Sequence, residues 1–335
     1  MIRWFTRPLR AVALCAGTML AVAGPMTAAQ AQPAVQAPAG GITRIMVGFP
    51  PGQATDQVAR ILAERLSGRL GWQFIVENRP GQGGSIVLTQ LARSPADGTV
   101  ITLSALAAYS VNPYLYSSLQ YDSVRDFDPI AMVADLPLAL VVHPSVPAKD
   151  LRELIAYTKA NPGRLSHMSA GNGTLSHLMM EDFKQRAGIQ ILHVPYKGSP
   201  PAMIDLIAGS VQVGLDTVTV TQPHIRTGKL RLIAAGTRER LDAFPDTPTI
   251  AESGYPGFEA VAWIALSAPK GTPAALREAI NAEVSRAMAD PEFIERLRTI
   301  GALPRPASVQ ETGAFFASEQ KRWKALVERV GVRVD

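Results

Sequence analysis

Residues 42–70 read ITRIMVGFPPGQATDQVARILAERLSGRL, and this stretch decides the fold class. Its first part, Ile42–Val47, is short and largely apolar and predicts a buried strand. After a loop of small residues, apolar side chains recur at the spacing of one helix face: Val58, Ile61, Leu62, Leu66 and Leu70. The stretch therefore predicts a strand, a loop and a helix, as at the start of a βαβ unit.

The same alternation continues along the chain and predicts an α/β fold. Strands are expected at Phe74–Glu77 and Val100–Leu103, with a helix at Ile86–Ala92 between them. A second series of strands and helices begins at Leu138–His143 and ends at Leu230–Ala235, with helices expected at Leu151–Ala160 and 175–187. The last predicted helix, 308–330, has an apolar stripe that is most simply core: Trp323, Leu326, Val327 and Val330. Alternating elements of this kind form mainly parallel sheets that are covered by helices.

Chain length and two strand-like crossings predict two lobes. A chain of 335 residues is longer than the roughly 250–300 residues that one core supports. Crossings near 134–143 and 258–267 would let the chain leave the first lobe, build the second and return. We expect lobe 1 to comprise 42–138 plus 259–335 and lobe 2 to comprise 139–258. A ligand cleft is expected between two such lobes.

The N-terminus is typical of a secretory signal peptide. Arg3, Arg7 and Arg10 precede an uncharged run at 11–24, and the small residues around Gln30 match a cleavage site after Ala31. The alternative is a membrane anchor, but a run of about 14 residues is shorter than the about 20 that span a bilayer. Residues 1–31 are therefore predicted to direct Sec-dependent export to the periplasm. Residues 32–41 are predicted to be a flexible leader.

Composition excludes several classes of protein once the signal peptide is set aside. The full chain has 33 Lys and Arg against 28 Asp and Glu, a net charge of +5. Removal of the three N-terminal arginines leaves 30 basic residues and a net charge of +2. The single cysteine, Cys15, leaves with the same segment, which excludes a disulfide framework. The basic residues are scattered among acidic ones, and we expect no nucleic-acid partner.

Sequence motifs of common catalytic and cofactor sites are absent. The five histidines show no HExxH spacing, and neither a G-x-S-x-G elbow nor a phosphate-binding P-loop occurs. The run Gly81–Gly84 lacks the third glycine of a dinucleotide fingerprint. We predict no cofactor, no metal site and no enzymatic activity. An exported hydrolase that uses Ser176 and His177, or Asp216, is the weaker alternative.

Two loops between a strand and a helix are candidates for anion binding. The first is Gly48–Asp56, for which Thr55 or Asp56 is the predicted N-cap, and the second is Ala170–His177. The unpaired amides at a helix start favour an anion, although an ordinary βα turn has the same composition. Two such loops on opposite lobes indicate a ligand with two anionic ends. A third glycine-rich run, Gly81–Ser85, is equally well explained as a structural turn.

Longer motifs resemble one known family. The matching segments are FPPGQATDQVARILAERLSGRLGWQFIVENRPGQGG at 49–84, SPADGT at 94–99, SAGNGTLSH at 169–177, HVPYKGSPPAMIDLIAGSVQVGLDT at 193–217, HIRTGKLRLIAAGTRER at 224–240 and FPDTPTIAESGYPGFEAVAWIALSAPKGTP at 244–273. With them, 42–335 resembles the substrate-binding proteins of tripartite tricarboxylate transporters, the Bug receptors. The resemblance implies a monomeric, type II-like periplasmic binding protein that closes like a Venus flytrap on a small carboxylate. That ligand would be a di- or tricarboxylate, an acidic amino acid or an aromatic carboxylate. The resemblance also implies delivery to membrane permease subunits.

The resemblance also implies a set of ligand-binding residues. They are Phe49, Gly52, Gln53, Ala54, Thr55, Asp56, Ser104, Ala105, Gly171, Asn172, Gly173, Thr174, Asp216 and Thr217. Asp216 would accept a hydrogen bond from a ligand amine or hydroxyl, or else cap the following helix. A sensory role, in which the closed form signals to a membrane kinase, is the alternative to transport.

Two residues depart from the pattern of the family. Gln53 stands where relatives usually have a second glycine, and Thr99 stands where they commonly have tyrosine. At position 53, either the backbone is strained or the side-chain amide enters the pocket and makes a new polar contact.

Overall fold

The computed structural model describes Met1 and residues 37–334. The helices are α1 Ala54–Leu70, α2 Ser85–Ala92, α3 Leu151–Ala160, α4 Leu175–Ala187, α5 Ser199–Ala208, α6 Val218–Arg226, α7 Ala274–Ala287, α8 Pro291–Thr299 and α9 Val309–Val330. The strands are β1 Ile42–Val47, β2 Gln73–Asn78, β3 Val100–Ala105, β4 Phe127–Val142, β5 Ser166–Ser169, β6 Leu192–Pro195, β7 Val213–Thr217, β8 Arg231–Ala235, β9 Val261–Pro269 and β10 Leu303–Pro304. The predicted cleavage site at Ala31 lies outside the described residues, as does Cys15.

The opening stretch forms the predicted strand, loop and helix. Val58, Leu62 and Leu66 of α1 are fully buried, so this helix covers the sheet with the face that the apolar spacing predicts. Gly71 then ends α1 in the left-handed conformation, at φ 78°. Strand β1 pairs in parallel with β2 and β3, which confirms the βαβ arrangement.

The sheet has two sections that share strand β4. Section 1 consists of β2, β1, β3, β9, the short strand β10 and residues 127–137 of β4. Section 2 consists of residues 138–142 of β4 with β8, β7, β5 and β6. Three neighbouring strands run parallel in each section, while β4 and β9 run antiparallel to their neighbours. The α/β prediction is confirmed, with mixed rather than purely parallel sheets.

The first predicted crossing corresponds to the long strand β4, and the second to the short segment that leads back into β9. The sequence predicts a strand at Leu138–His143 and a strand-like crossing from about residue 134, but β4 begins at Phe127. Its early part contains Pro129 and Pro137 and shifts register twice against β9, so its residues do not alternate regularly. The return passes through Ala260, whose N–H donates to the carbonyl of Gly236.

Helix α9 completes the core and contacts both sections of the fold. Trp323, Val327 and Val330 on its predicted apolar stripe are buried, and Leu326 is partly buried. The stripe is therefore core, as predicted. At the C-terminal end of α9, the Val330 carbonyl accepts a hydrogen bond of 2.9 Å from Gln185 on α4.

Candidate functional site

The first glycine-containing loop is held by the carboxylate of Asp56. The structure corrects the predicted cap, because Gln53 is the N-cap residue and Asp56 is the third residue of α1. Asp56 accepts hydrogen bonds from the N–H of Gly52 at 2.8 Å and from Asn78 Nδ2 at 2.9 Å, and it pairs with Arg60. Burial alone would raise the pKa of Asp56, but these bonds outweigh it and hold the pKa below its ordinary value.

The start of α1 presents backbone donors. Within residues 37–334, the N–H groups of Ala54 and Thr55 have no hydrogen-bond acceptor. Gln53 has φ −74° and ψ 158°, which is ordinary extended backbone, so the strain considered for this position is absent. Its side chain makes a contact elsewhere: Gln53 Oε1 accepts the N–H of Ser199 at 3.1 Å.

The second glycine-rich loop is braced by hydroxyl and imidazole groups. Thr174, the N-cap of α4, donates its hydroxyl to the carbonyl of Gly171 at 2.7 Å. The N–H of Gly171 donates to Ser169 Oγ at 3.2 Å, and the N–H of Gly173 donates to His177 Nδ1 at 3.2 Å. These contacts fix the loop before any ligand is considered.

The two helix starts meet at a cavity of about 50 Å³, here called the inner cavity. Both sheet sections contribute to its lining. The predicted site residues that line it are Phe49, Gln53, Ala54, Thr55, Ala105, Thr174, Asp216 and Thr217. The structure therefore brings together residues from all four predicted segments.

The remaining predicted residues lie outside the inner cavity. Gly171 and Asn172 line a neighbouring outer cavity of about 600 Å³, which shares Phe49 and Ala170 with the inner one. Four others line neither cavity: Gly52, Asp56, Ser104 and Gly173. A Cβ atom on Gly173 would lie 2.6 Å from Leu115 Cδ1, so this glycine faces Leu115 rather than the inner cavity.

Several lining residues were not among the predicted ligand-binding residues, although Ala170, Leu175 and Ser176 belong to the second candidate loop. They are Leu106, Ala107, Leu136, Leu138, Ala170, Leu175, Ser176 and Ala262. Leu106 and Ala107 lie where β3 turns into the π-helical segment Ala107–Val111, a local irregularity that is frequent at functional sites. Leu136 and Ala262 pair across β4 and β9, a pairing that the local sequence does not reveal.

Among the described residues that line the inner cavity, Asp216 is the one with an ionisable side chain. Its side chain accepts the N–H of Thr217 through Oδ1 at 2.7 Å, while its Oδ2 is buried without a hydrogen-bond partner in the described part of the chain. Burial raises the pKa of Asp216 to about 6, although Ser199 and Thr217 favour the charged form. The carboxyl group is thus available to a ligand as an acceptor or, when protonated, as a donor.

Three imidazoles stack beneath the second loop. His193 lies between His177, with ring centroids 4.0 Å apart, and His167, at 4.9 Å. Burial lowers the pKa of His177 to about 4 and that of His193 to about 3, so both rings are neutral at pH 7. The Ser176 hydroxyl lies 3.0 Å from Thr174 Oγ1 and accepts the N–H of Ala170, so it is not paired with His177 as a hydrolase would require.

Metal-binding clusters and membrane-spanning helices are both missing from the described residues. Between residues 37 and 334, no group of three or more His, Cys, Asp and Glu side chains is placed to hold a metal ion. In the same part of the chain, no helix combines the length and the apolar character needed to cross a membrane.

Comparison with known proteins assigns the family. Residues 58–332 match the family described as the tripartite tricarboxylate transporter family receptor. The chain belongs to this family of substrate-binding receptors. Its members are periplasmic binding proteins rather than enzymes, and the resemblance found in the sequence motifs is confirmed.

Individual proteins and solved structures match over most of the chain. Protein BugT of Bordetella pertussis is 38% identical over 292 residues, which cover 87% of this chain and 90% of BugT. The structure of R. palustris Rpa4515 with adipate has a TM-score of 0.85 at 33% identity, covering 87% of this chain and 97% of that one. MatC from Rhodopseudomonas palustris with bound malate has a TM-score of 0.80 at 31% identity, covering 85% and 99%.

Proposed function

We propose that this receptor captures a small dicarboxylate in the inner cavity, in the periplasm, and delivers it to the permease subunits of a tripartite tricarboxylate-type transporter. The observation that carries the proposal is the convergence of two helix starts, α1 and α4, on the inner cavity. Unpaired amides at a helix start bind anions because both the N–H groups and the helix dipole favour negative charge. The adipate and malate in the related structures support a ligand with two carboxylates.

In this proposal the two sheet sections act as lobes. Lobe 1 is 42–138 plus 259–335, lobe 2 is 139–258, and β4 belongs to the hinge. Closure buries the ligand between donors of both lobes, and the difference in affinity between open and closed forms drives the movement. Residues 1–31 serve as the cleaved export signal, and the receptor acts as a monomer.

A binding panel on the chain from Gln32 onward tests the ligand class. It contains succinate, malate, adipate, citrate, aspartate and glutamate, with hexanoate as the monocarboxylate control for adipate. A true ligand at about 100 times its dissociation constant should stabilise the protein by about 2.7 kcal/mol. The proposal would be contradicted if hexanoate stabilised the protein as much as adipate does. It would also be contradicted if none of the acids stabilised it.

A matched pair of proline variants tests the site. Ala54→Pro removes one cavity-lining N–H at the first residue of α1, where proline fits a helix. Ala274→Pro makes the same change at the first residue of α7, whose start does not line the cavity. We expect Ala54→Pro to weaken binding at least about tenfold, because one hydrogen bond to a charged group is lost. Ala274→Pro should leave the affinity unchanged. Equal affinities would place the ligand elsewhere.

A further inference from the structure

The side chain of Gln53 crosses from section 1 of the sheet to a helix of section 2. Its Oε1 accepts the N–H of Ser199, the first residue of α5, at 3.1 Å. Ser199 is fully buried, and an N–H at the first position of a helix has no partner within that helix. Gln53 therefore satisfies a buried donor that lies 146 residues away in the chain.

The backbone before Ser199 allows this close approach. Gly198 has φ +106°, a conformation that L side chains rarely adopt. A Cβ atom at this position would lie 2.6 Å from Pro50 Cγ and 2.9 Å from Gln53 Oε1. The glycine thus lets the loop before α5 pack directly against the loop before α1.

The other half of the Gln53 amide is available to a ligand. Gln53 is 8% exposed and lines the inner cavity, beside the free N–H groups of Ala54 and Thr55. Its Nε2 has no acceptor among the residues that the structure describes. Nε2 is not sealed in the core but reaches the cavity surface, so a carboxylate oxygen in the cavity would accept a hydrogen bond from it.

We propose that Gln53 couples ligand binding to closure, fastening α5 through Oε1 while it donates to a ligand carboxylate through Nε2. The inference rests on the proposed dicarboxylate function. It adds to that function a residue, Gln53, that both binds the ligand and holds α5. Because the Ser199 N–H fixes the plane of the amide, closure orients the NH₂ group for the ligand. The same linkage makes a bound ligand favour the closed form.

Four variants separate the two roles. Gln53→Glu keeps an acceptor for Ser199 but replaces the donor with an oxygen that repels a carboxylate, whereas Gln53→Met removes both groups at similar size. Ser199→Pro keeps a backbone that suits the first position of a helix, but it replaces the N–H with the proline Cδ and so breaks the contact with Gln53 Oε1. Ser199→Ala keeps that N–H and supplies the baseline for Ser199→Pro. Circular dichroism and thermal midpoints establish that each variant is folded.

Calorimetry with malate and adipate measures the ligand role. We expect Gln53→Glu to bind the better of the two acids at least about 100-fold more weakly than wild type, because a donor becomes a repelling charge. Ser199→Pro should bind about tenfold more weakly than Ser199→Ala, as expected for one lost hydrogen bond. Wild-type affinity in Gln53→Glu, or equal affinities in the two Ser199 variants, would overturn the proposal.

Amide hydrogen exchange at Ser199 measures the fastening role without relying on ligand affinity. The Ser199 amide should exchange at least about tenfold more slowly in wild type than in Gln53→Met, since Gln53 is its acceptor. Equal exchange rates would overturn the fastening role. If neither acid binds wild type, the proposed ligand class fails, and the exchange measurement still decides whether Gln53 fastens α5.

Discussion

Replacing Asp216 with asparagine should stabilise the protein at neutral pH and remove part of its pH dependence. Asp216 is 3% exposed, and one of its two carboxyl oxygens has no hydrogen-bond partner within residues 37–334. Burial raises its pKa from 3.8 to about 6, against the opposing effects of Ser199 and Thr217. The ionised carboxylate is therefore less favourable in the native state than in the unfolded chain.

The size and sign of the effect follow from this pKa. A rise from 3.8 to about 6 corresponds to about 3 kcal/mol, at about 1.4 kcal/mol per pKa unit. Because the native state holds the proton more tightly, the contribution of Asp216 to stability falls as pH rises from about 4 to about 6 and is constant above that. Asparagine has nearly the same shape and stays neutral, so Asp216→Asn should gain up to about 3 kcal/mol over wild type at pH 7 and little at pH 4.

Urea unfolding at pH 4, 5, 6, 7 and 8 measures this difference. Asp56→Asn is the control with the opposite sign, because hydrogen bonds outweigh burial and lower the pKa of Asp56. That variant should be destabilised at neutral pH, and its deficit should shrink as the pH falls towards 3. A difference between Asp216→Asn and wild type that does not change between pH 4 and pH 7 would refute the reasoning.

Three further predictions concern the second loop and the core. Gly173→Ala should lose about 1–3 kcal/mol more in urea unfolding than Gly163→Ala, because both glycines have positive φ but only the first would press a Cβ against Leu115. Burial lowers the pKa of His193 to about 3, so the unfolded chain takes up the proton first and stability falls as pH drops below about 6.5. His193→Gln should flatten that fall by up to about 1.4 kcal/mol per pH unit, and an unchanged pH profile of unfolding would count against it. Glu319→Leu should cost about 1–3 kcal/mol for each of the two buried indole N–H groups that donate to this carboxylate, and a urea midpoint equal to wild type would disprove that role.

Local patterns predicted most helices and strands closely. Helix α3 spans Leu151–Ala160 as predicted, since Asp150 caps its first turn by accepting the N–H of Glu153 at 2.8 Å. Helix α4 likewise ends before Gly188, which is left-handed. The signals for these elements lie within a few residues of their ends, where a sequence displays them directly.

The early part of β4 escaped prediction because its stability comes from distant strands. Residues 127–137 pair with β9, more than 100 positions later in the chain, through a register with two shifts. Prolines and irregular alternation conceal such a strand from local patterns. The same pairing brings Leu136 and Ala262 to the inner cavity, so both were missing from the predicted site.

The sequence by itself determined the α/β class, the strand–loop–helix units and the two loops whose helix starts present free donors. The tertiary structure decided which residues meet. It turned Gly173 towards Leu115, left Asp216 buried with a free oxygen, and carried Gln53 to Ser199 on another helix. Propensity and capping act between neighbours in the chain, whereas burial and cross-sheet hydrogen bonds depend on segments that folding alone brings together.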